Sequence, residues 1–403
     1  MIDIREARND PERFRNALAR RGAADAFDEL MAADGRWREL VPRVDELRGK
    51  QKLQGKPTPE QLAELQERKG RLKQLEEELA AAQAARDGAL AKVPNPPHDS
   101  AADGFGDDDA VEVRRVGEPP QLDEPREHIE VGTFEMERAA KVSGARFGFM
   151  VGDTALLALS LYRFALDRLT REGFTPVIPP VLVREEAMYG TGFFPSDKHD
   201  YYAIPEDRLY LVGTSEVPLI AMHMNEILDE LPIHYCAFSS CFRREAGAAG
   251  KDTRGMFRVH QFQKVEMVVY VEPDASWDEH ERMLAIEESL VQELGVPYRV
   301  VNSAAGDLST AAAKRYDIEA WFPSQDRYRE ITSCSNTTDY QARRSQIRYR
   351  TSDKALATPH TLNGTAVTDR WALAILENFQ GEIPEALQQF GAPERIRGET
   401  SRV

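Results

Sequence analysis

Apolar residues recur at intervals of three and four along two segments of the first hundred residues, and this pattern restricts the possible fold most strongly. In the first segment Leu30, Trp37 and Val44 lie seven apart, with Leu40 and Leu47 between them. The second segment follows the Gly/Pro-rich stretch 55–59 and carries a similar series: Leu62, Leu65, Leu72, Leu75 and Leu79. Two such stripes around a turn predict an antiparallel two-stranded coiled coil, an arm over about residues 27–92.

Prolines mark the limits of this arm. Pro42 lies inside the first helix, where its missing N–H is predicted to kink or interrupt the helix. The second helix is predicted to stop before the proline-rich stretch 93–97, a stiff linker. We therefore predict an N-terminal domain over residues 1–104 and a second domain over residues 105–403.

The second domain mixes strands with helices. Residues 238–245, 259–271 and 327–333 are predicted strands, in the second of which Val265, Met267 and Val269 alternate with Glu266 and Tyr270. A helix capped by Asp153 or Thr154 is predicted to run to Arg171, and another over 369–378. Long loops between strands favour an α+β fold, an antiparallel sheet with flanking helices.

Composition limits the functional classes. The 403 residues include three cysteines, too few for a disulfide framework, and a reducing compartment is expected. The first residues carry early acids and lack an apolar core, unlike a signal peptide. The most apolar helical stretch, at 155–161, meets Arg163 too soon to span a bilayer. A cytoplasmic protein without a membrane partner is predicted.

The outer half of the arm is basic in a chain of net charge −16. Between Arg36 and Lys73 eleven basic and six acidic residues occur, a difference of +5. Two interpretations stay open on charge alone: a solvated coiled-coil face, or an arm that lies on a polyanion.

Two familiar site patterns are incomplete in this chain. The Gly-Lys pair at 250–251 lacks the phosphate-loop context, because Glu245 and Asp252 occupy the required glycine and Ser/Thr positions. Cys236 and Cys241 lie near two histidines, but apolar-flanked strand cysteines more often belong to a core, so no zinc is expected.

The segment 241–266 carries a sharper signal. A predicted strand ends in Arg243-Arg244-Glu245, a Gly/Ala/Lys loop follows, and the chain returns with Phe262 and Glu266. Alternation along a strand could direct Arg243 and Glu245 to one face. The alternative is a surface hairpin with salt bridges.

Several runs together resemble a known family. Phe-Arg-x-Glu at 242–245 and the helix start at Arg370 resemble motifs two and three of class II aminoacyl-tRNA synthetases. Longer runs, in the right order, resemble seryl-tRNA synthetases of the bacterial type: residues 139–147, 214–219, 241–266, 330–336 and 361–365. The resemblance covers nearly the whole chain, including the arm and linker.

This resemblance implies an ATP-dependent serine–tRNA ligase, which activates L-serine to seryl-adenylate and transfers serine to the 3′ end of tRNA-Ser. It leaves tRNA-Sec open as a second substrate, and it implies Mg²⁺ as the cofactor. The arm would grip the long variable region of the tRNA. Residues 173–180 resemble motif one, which implies a homodimer interface around Pro180; a simple helix-to-strand corner is the alternative.

The resemblance also assigns residue roles. The expected catalytic residues are Arg243, which would hold the serine carboxylate and the α-phosphate, Glu245 at the adenine amino group, and Arg370 at the γ-phosphate. The serine site is expected to contain Thr214, Ser215, Glu216, Arg243, Glu266, Asn363 and Thr365. The ATP site is expected to contain Arg243, Arg244, Glu245, Val259, Phe262 (stacked on adenine), Glu330, Ile331, Thr332, Ser333 and Arg370.

Two smaller sets complete the assignment. Mg²⁺ is expected at Glu330 and Ser333, because hard oxygen ligands suit that ion. The expected tRNA-binding residues on the arm are Arg48, Lys50, Lys52, Lys69 and Lys73.

The chain departs from the family pattern in two places. Gly213 stands where proline is more usual. The segment from Thr365 to Arg370 is about one residue short and places Asp369 where a small or hydroxyl residue is common. Asp369 could cap the following helix or could pair with Arg370 and draw it away from the phosphate; we favour the cap and a working enzyme.

A different class of function remains as the alternative. A synthetase-like paralog could bind RNA or a protein partner without catalysis, or could serve a specialised pathway. Related carrier-protein ligases lack the arm and bind zinc, and they are set aside on those grounds. The joint presence of Arg243, Glu245, Glu266, Glu330 and Arg370, with Ser333, favours catalysis.

Overall fold

The computed structural model describes residues 1–50, 59–246 and 255–397. The chain divides into two compact units, Met1–Pro96 and Pro97–Val403. This division falls a few residues before the boundary predicted at residue 104. Lys52, one of the expected tRNA-binding residues, lies outside the described residues.

The first unit is helical. Its helices are α1 (Ile4–Asn9), α2 (Pro11–Ala19), α3 (Ala24–Gly49) and α4 (Pro59–Lys92). The sequence predicts a kink or an interruption at Pro42; helix α3 runs through Pro42, so the interruption is wrong and the kink stays a prediction. Pro42 lies on the exposed side of the helix, where water can satisfy the carbonyl that loses its usual donor.

Helices α3 and α4 form the predicted hairpin. Leu40, Val44, Leu72 and Leu75 are buried together, and Leu47 packs against them, as the spacing of three and four predicts. Near the base, the buried Asp34 carboxylate accepts hydrogen bonds from Arg8 at 2.8 and 2.6 Å and pairs with Arg86 at 3.0 Å. These contacts join α1 and both hairpin helices.

The second unit contains the remaining elements. Its helices are α5 (His128–Val131), α6 (Met136–Ser143), α7 (Asp153–Arg171), α8 (Glu185–Thr191), α9 (Glu216–Ala221), α10 (Ser276–Glu293), α11 (Tyr340–Arg344), α12 (Asp369–Phe379) and α13 (Glu385–Gln388). Its strands are β1 (Val111–Val116), β2 (Phe134–Glu135), β3 (Phe149–Met150), β4 (Thr175–Val177), β5 (Leu182–Arg184), β6 (Ala203–Ile204), β7 (Leu209–Leu211), β8 (Ile227–Leu228), β9 (Ile233–Phe242), β10 (Gln261–Val271), β11 (Tyr298–Asn302), β12 (Lys314–Phe322), β13 (Arg327–Asn336), β14 (Arg348–Arg350), β15 (Leu356–Ala357) and β16 (His360–Thr368).

Eight strands form the central sheet, in the order β1-β11-β12-β13-β16-β10-β9-β4. Every pair is antiparallel except β4 with β9, which is parallel. The antiparallel sheet with flanking helices is therefore confirmed. The shorter strands form three small additional sheets.

The main core lies between one face of this sheet and helices α7, α10 and α12. Leu161 of α7, Met283 of α10 and Trp371 of α12 are buried against Val265 and Met267 of β10. Residues of the opposite face of β10, such as Tyr270, are buried as well, in a second cluster. Alternate side chains of β10 therefore belong to two buried clusters, one on each face of the sheet. The alternation does not separate a buried face from a solvent-exposed face.

Two of the β-bulges in the central sheet lie in strands β13 and β16. Ile331 of β13 has no partner in the β12 register, and Ala366 of β16 has none in the β10 register. A bulge shifts the alternation of side chains by one residue. Residues three apart on either side of each bulge can therefore point to the same face.

The start of α7 differs from the prediction. The helix has the expected bounds and Gly173 follows it at φ +90°, a conformation that glycine adopts without strain. Neither predicted cap forms: the Asp153 carboxylate binds Arg397 at 2.8 and 2.7 Å, and Thr154 accepts a hydrogen bond from the Thr133 N–H at 2.8 Å.

Among the described residues, no helix combines the length and apolar character needed to cross a bilayer.

Candidate active site

A divided cavity opens over the centre of the large sheet. Its two parts share lining residues that include Arg243, Glu245, Lys264, Glu330 and Thr365. Strand β10 contributes Phe262, Lys264 and Glu266, which are two residues apart and so face the same way. Strands β13 and β16 contribute the rest of the floor.

The acidic side of the cavity consists of Thr214, Glu216, Lys264, Glu266 and Thr365. The buried Glu266 carboxylate accepts hydrogen bonds from the Lys264 ammonium at 2.5 Å and the Thr365 hydroxyl at 3.3 Å. The same ammonium donates to the Thr214 hydroxyl oxygen at 2.7 Å. Lys264 thus links strand β10 to the loop before α9.

Glu216 is the second buried carboxylate of the acidic side. It accepts hydrogen bonds from the side-chain amides of Gln341 at 2.6 Å and Asn363 at 2.9 Å. Burial, followed by the negative charge of Glu266, raises the pKa of Glu216 to about 7. Burial also raises the pKa of Glu266, although Lys264 opposes that shift. A cationic ligand on this side would favour the ionised form of both groups.

The arginine side of the cavity consists of Arg243, Arg258 and Arg370, with Glu245 and Glu330 between them. Arg258 binds the Glu245 carboxylate. Arg370 donates to the Glu330 carbonyl at 3.0 Å, and its guanidinium lies over the Phe257 ring at 4.5 Å. Three guanidinium groups around one opening favour a polyanionic ligand.

Arg243 stands where the acidic and arginine sides meet. It follows the end of β9, and its Nε donates to the Gly213 carbonyl at 3.3 Å. Its guanidinium also lies 5.3 Å from the centre of the Phe262 ring. The predicted strand extended to Glu245, but β9 ends at Phe242. Arg243 and Glu245 nevertheless line the same cavity.

Gly213 has a steric reason for its departure from the family pattern. A Cβ atom at this position would lie 2.9 Å from the Tyr201 ring and 3.4 Å from the Arg243 side chain. The first distance is closer than real Cβ contacts. The absence of a side chain at Gly213 therefore lets Tyr201 and Arg243 approach each other.

The bulge at Ile331 brings the two expected magnesium ligands together. Glu330 and Ser333 are three residues apart, yet both line the cavity. Burial raises the pKa of the Glu330 carboxyl, but the charges of Arg370 and Arg315 outweigh it and leave the pKa lowered. An ionised carboxylate and a hydroxyl suit Mg²⁺. Within residues 1–50, 59–246 and 255–397 no group of three or more His, Cys, Asp or Glu side chains could hold a metal ion.

Most of the other expected site residues also line the cavity. These are Val259, Phe262, Ile331, Thr332, Asn363 and Thr365. Two are placed elsewhere: the Arg244 guanidinium lies over the Tyr202 ring at 5.8 Å, and Ser215 is completely buried at the start of α9.

Asp369 neither caps its helix nor pairs with Arg370. Thr368 occupies the N-cap position of α12, and it makes no side-chain capping bond. The Asp369 carboxylate instead accepts hydrogen bonds from the Tyr162 hydroxyl and from the Gln263 N–H, the latter at 3.1 Å. The expected cap is therefore wrong. Arg370 still reaches the cavity despite the short segment before it.

The four described arm residues expected to bind tRNA differ in their partners. Arg48 pairs with Glu76 at 2.8 Å and Lys50 with Glu46 at 2.5 Å. Lys69 and Lys73 are exposed and have no acidic partner in the described part of the chain. The two lysines are the more accessible cations for a polyanion.

Sequence reasoning missed three residues of the site. Lys264 could have been found, because it lies midway between Phe262 and Glu266 on the same strand face. Arg258 lies between strands β9 and β10, and Gln341 belongs to a short helix remote in sequence from Glu216. No local pattern marks these last two.

Comparisons with known proteins agree over both units. A family model described as the seryl-tRNA synthetase N-terminal domain matches residues 1–97, and one described as the class II tRNA synthetase core domain (G, H, P, S and T) matches residues 201–379. The serine–tRNA ligase of Thermobifida fusca is 50% identical, over 97% of each chain. That of Nocardia farcinica is 46% identical, over 98% of this chain and 99% of its own. The seryl-tRNA synthetase of Pyrococcus horikoshii, solved in complex with ATP, superimposes with a TM-score of 0.91 at 40% identity, covering 98% of this chain and 99% of its own.

Proposed function

The chain belongs to the seryl-tRNA synthetase family, and on this premise we propose that it is an ATP-dependent serine–tRNA ligase, which activates L-serine as seryl-adenylate and transfers serine to the 3′ end of tRNA-Ser. The relatives that match it over nearly their whole length carry the name serine–tRNA ligase. The alternative of a non-catalytic paralog is not favoured, because Arg243, Glu245, Glu266, Glu330, Ser333 and Arg370 all line the cavity.

One observation carries this proposal: the acidic side and the arginine side adjoin at Arg243. An amino acid has an ammonium and a carboxylate, and a nucleotide has phosphates. Glu216 and Glu266 suit the ammonium, and Arg243 suits the carboxylate together with the adjacent α-phosphate. Arg258 and Arg370 extend positive charge along the remaining phosphates.

The chemistry follows from this order of charges. The serine carboxylate attacks the α-phosphorus, a new C(O)–O–P bond forms, and the bond to the β-phosphate oxygen breaks with release of pyrophosphate. Arg243 stabilises the charge that develops on the α-phosphate, and Arg370 holds the far end of the triphosphate. Glu330 and Ser333 would hold Mg²⁺, which neutralises phosphate charge when it is bound.

Selection of serine is assigned to the acidic side. The Thr365 hydroxyl and the Glu266 carboxylate lie within 3.3 Å of each other and can share a bond with the serine hydroxyl. Alanine would leave these buried groups without that partner, which disfavours it. Threonine must be excluded by the shape of the cavity.

Further proposals concern the rest of the molecule. The arm binds tRNA-Ser through the exposed cations Arg48, Lys50, Lys69 and Lys73, together with Lys52. The protein is a homodimer through the region of Pro180, where Ile178 is 90% exposed. It works in the cytoplasm, as its few cysteines predict. Charging of tRNA-Sec remains a second activity to test.

The decisive experiment is serine-dependent exchange between ATP and pyrophosphate, followed by charging of purified tRNA-Ser. We expect Glu266→Gln to raise the KM for serine about tenfold or more, because it weakens a charged hydrogen bond in a buried site. The KM for ATP should change far less.

Glu279→Gln is the matched control. Glu279 lies on helix α10 and pairs with Arg282 at 2.9 Å, and it is not among the residues that line the cavity. This control should alter neither constant. Wild-type protein that exchanges no pyrophosphate, or equal losses for serine and ATP in Glu266→Gln, would contradict the assignment.

A further inference from the structure

Asp369 ties three elements of the catalytic unit together at one buried point. It is the first residue of α12, and it is 7% exposed. One carboxylate oxygen accepts the Tyr162 hydroxyl of α7 and the other accepts the Gln263 N–H of β10. The residue that follows it is Arg370.

The bond to Gln263 continues the sheet beyond the end of a strand. Pairing between β10 and β16 ends at Lys264 and Thr368. The next donor on β10 is the Gln263 N–H, and the Asp369 carboxylate accepts it in place of a strand carbonyl. The start of α12 is thereby fixed against the strand that carries Phe262 into the cavity.

The bond to Tyr162 holds the other oxygen of the same carboxylate. Tyr162 is buried on α7, and its ring packs 5.0 Å from that of Phe238 on β9. An ionised acceptor strengthens both hydrogen bonds. Neither the N-cap residue Thr368 nor Asp369 makes a side-chain capping bond at α12. The Asp369 side chain therefore holds the first turn of α12 through its two hydrogen bonds to Tyr162 and Gln263.

We propose that Tyr162 and Asp369 are positioning residues, which set the place of Arg370 at the triphosphate end of the cavity. The inference rests on the proposed function, because it takes ATP as the ligand of the arginine side. It also accounts for the unusual acid in the short segment before Arg370: the side chain of Asp369 anchors the start of α12 to β10 and α7.

The test compares ATP with AMP, because AMP lacks the phosphates that Arg370 would hold. Dissociation constants are measured by titration calorimetry, without serine, for the wild type, Tyr162→Phe, Asp369→Ala and Asp369→Asn. We expect Asp369→Ala to weaken ATP about tenfold and AMP less than about twofold. Tyr162→Phe should act in the same direction with a smaller effect.

Asp369→Asn tests the geometry itself. Its amide oxygen can accept the Gln263 N–H, and its amide group can donate to the Tyr162 oxygen, so ATP binding should remain closer to that of the wild type than in Asp369→Ala. Tyr298→Phe is the matched control: it removes another buried tyrosine hydroxyl, bonded to Glu288 at 2.9 Å, without touching the cavity.

The possible failures are distinguishable. Equal loss of ATP and AMP, or a wild-type-like ATP affinity in both Asp369→Ala and Tyr162→Phe, would overturn the positioning role alone. A wild type that binds neither nucleotide and exchanges no pyrophosphate would overturn the proposed function and this inference with it. If Asp369→Ala does not fold, Tyr162→Phe decides the matter, because it removes a single oxygen atom.

Discussion

At the scale of single residues, Glu216 links the cavity to pH. Its pKa is raised from 4.5 to about 7, because burial and Glu266 disfavour the charge. A raised pKa leaves the carboxyl protonated below about pH 7, and only the ionised form attracts an ammonium strongly. We expect kcat/KM for serine to rise as the pH increases through about 7, measured by pyrophosphate exchange.

Glu216→Gln should flatten this rise and increase the KM for serine. In that variant a neutral amide faces the amides of Gln341 and Asn363, and of its two polar atoms only the oxygen can accept their hydrogen bonds. The KM for ATP, measured at saturating serine in the same pH range, is the internal reference. A rise through pH 7 that persists in Glu216→Gln would assign the proton to another group.

Gly213 supports a second prediction at this scale. A methyl group there meets the Tyr201 ring at 2.9 Å, so Gly213→Ala should displace Tyr201 or Arg243. Because we propose that Arg243 contacts the α-phosphate, we expect exchange to fall about tenfold or more in Gly213→Ala. Gly35→Ala, where nothing lies within 4 Å of the added atom, is the control. An unchanged rate would mean that the Tyr201 ring can move aside freely.

The residues of the cavity could be predicted from the sequence only where they belong to a recognisable local motif. The run around Arg243 and the strand from Phe262 to Glu266 are contiguous, and their members do meet in one cavity. Gln341 reaches Glu216 from a different part of the chain, and nothing in its own neighbourhood indicates this contact. The misplaced cap at Asp369 has the same origin: its partners are Tyr162 and Gln263, both more than a hundred residues away.

At the scale of elements, the arm supports a prediction about salt. Lys69 and Lys73 are exposed cations of α4, whereas Arg48 and Lys50 already pair with glutamates. We expect Lys69→Ala with Lys73→Ala to weaken tRNA-Ser binding. Each lost phosphate contact should reduce the slope of log K against log salt by about 0.7 to 0.9. Filter binding over a salt series measures the slope.

The corresponding control separates the arm from activation. Pyrophosphate exchange without tRNA should stay unchanged in the double variant, since both lysines belong to the first unit. Arg13→Ala, which removes an exposed cation of α2 in that unit, should leave the salt slope unaltered. An unchanged slope for the lysine pair would favour the solvated-face interpretation of the arm.

The periodicity of apolar residues predicted the helices and strands well, but it did not predict the β-bulges. The spacing of leucines is sufficient for the hairpin, because a two-stranded seam repeats regularly. The bulge at Ile331 breaks the alternation with no glycine or proline beside it, whereas the bulge at Ala366 follows Gly364 by two residues. They arise from pairing with neighbouring strands, and for that reason the shared orientation of Glu330 and Ser333 is a property of the sheet.

At the scale of the whole molecule, the exposed apolar surface near Pro180 predicts an assembly. Ile178 belongs to a cavity lined mainly by apolar side chains, among them Val177, Leu219 and Met222. A buried carboxylate would be costly there, so Ile178→Asp should shift the proposed dimer toward monomer in sedimentation velocity. Phe105→Asp, which replaces another apolar residue that is 67% exposed, should not. A wild type that sediments as a monomer would remove the basis of this expectation.

All three cysteines of the chain are buried in the second unit, and burial raises the pKa of each thiol, to about 12 for Cys236. The reactive thiolate is therefore scarce and shielded in the folded protein at neutral pH. Alkylating reagents should label Cys236, Cys241 and Cys334 only when this unit opens. The native chain accordingly contains its own reporter of unfolding: the rate of thiol modification follows the opening of the catalytic unit, and no engineered probe is needed to record it.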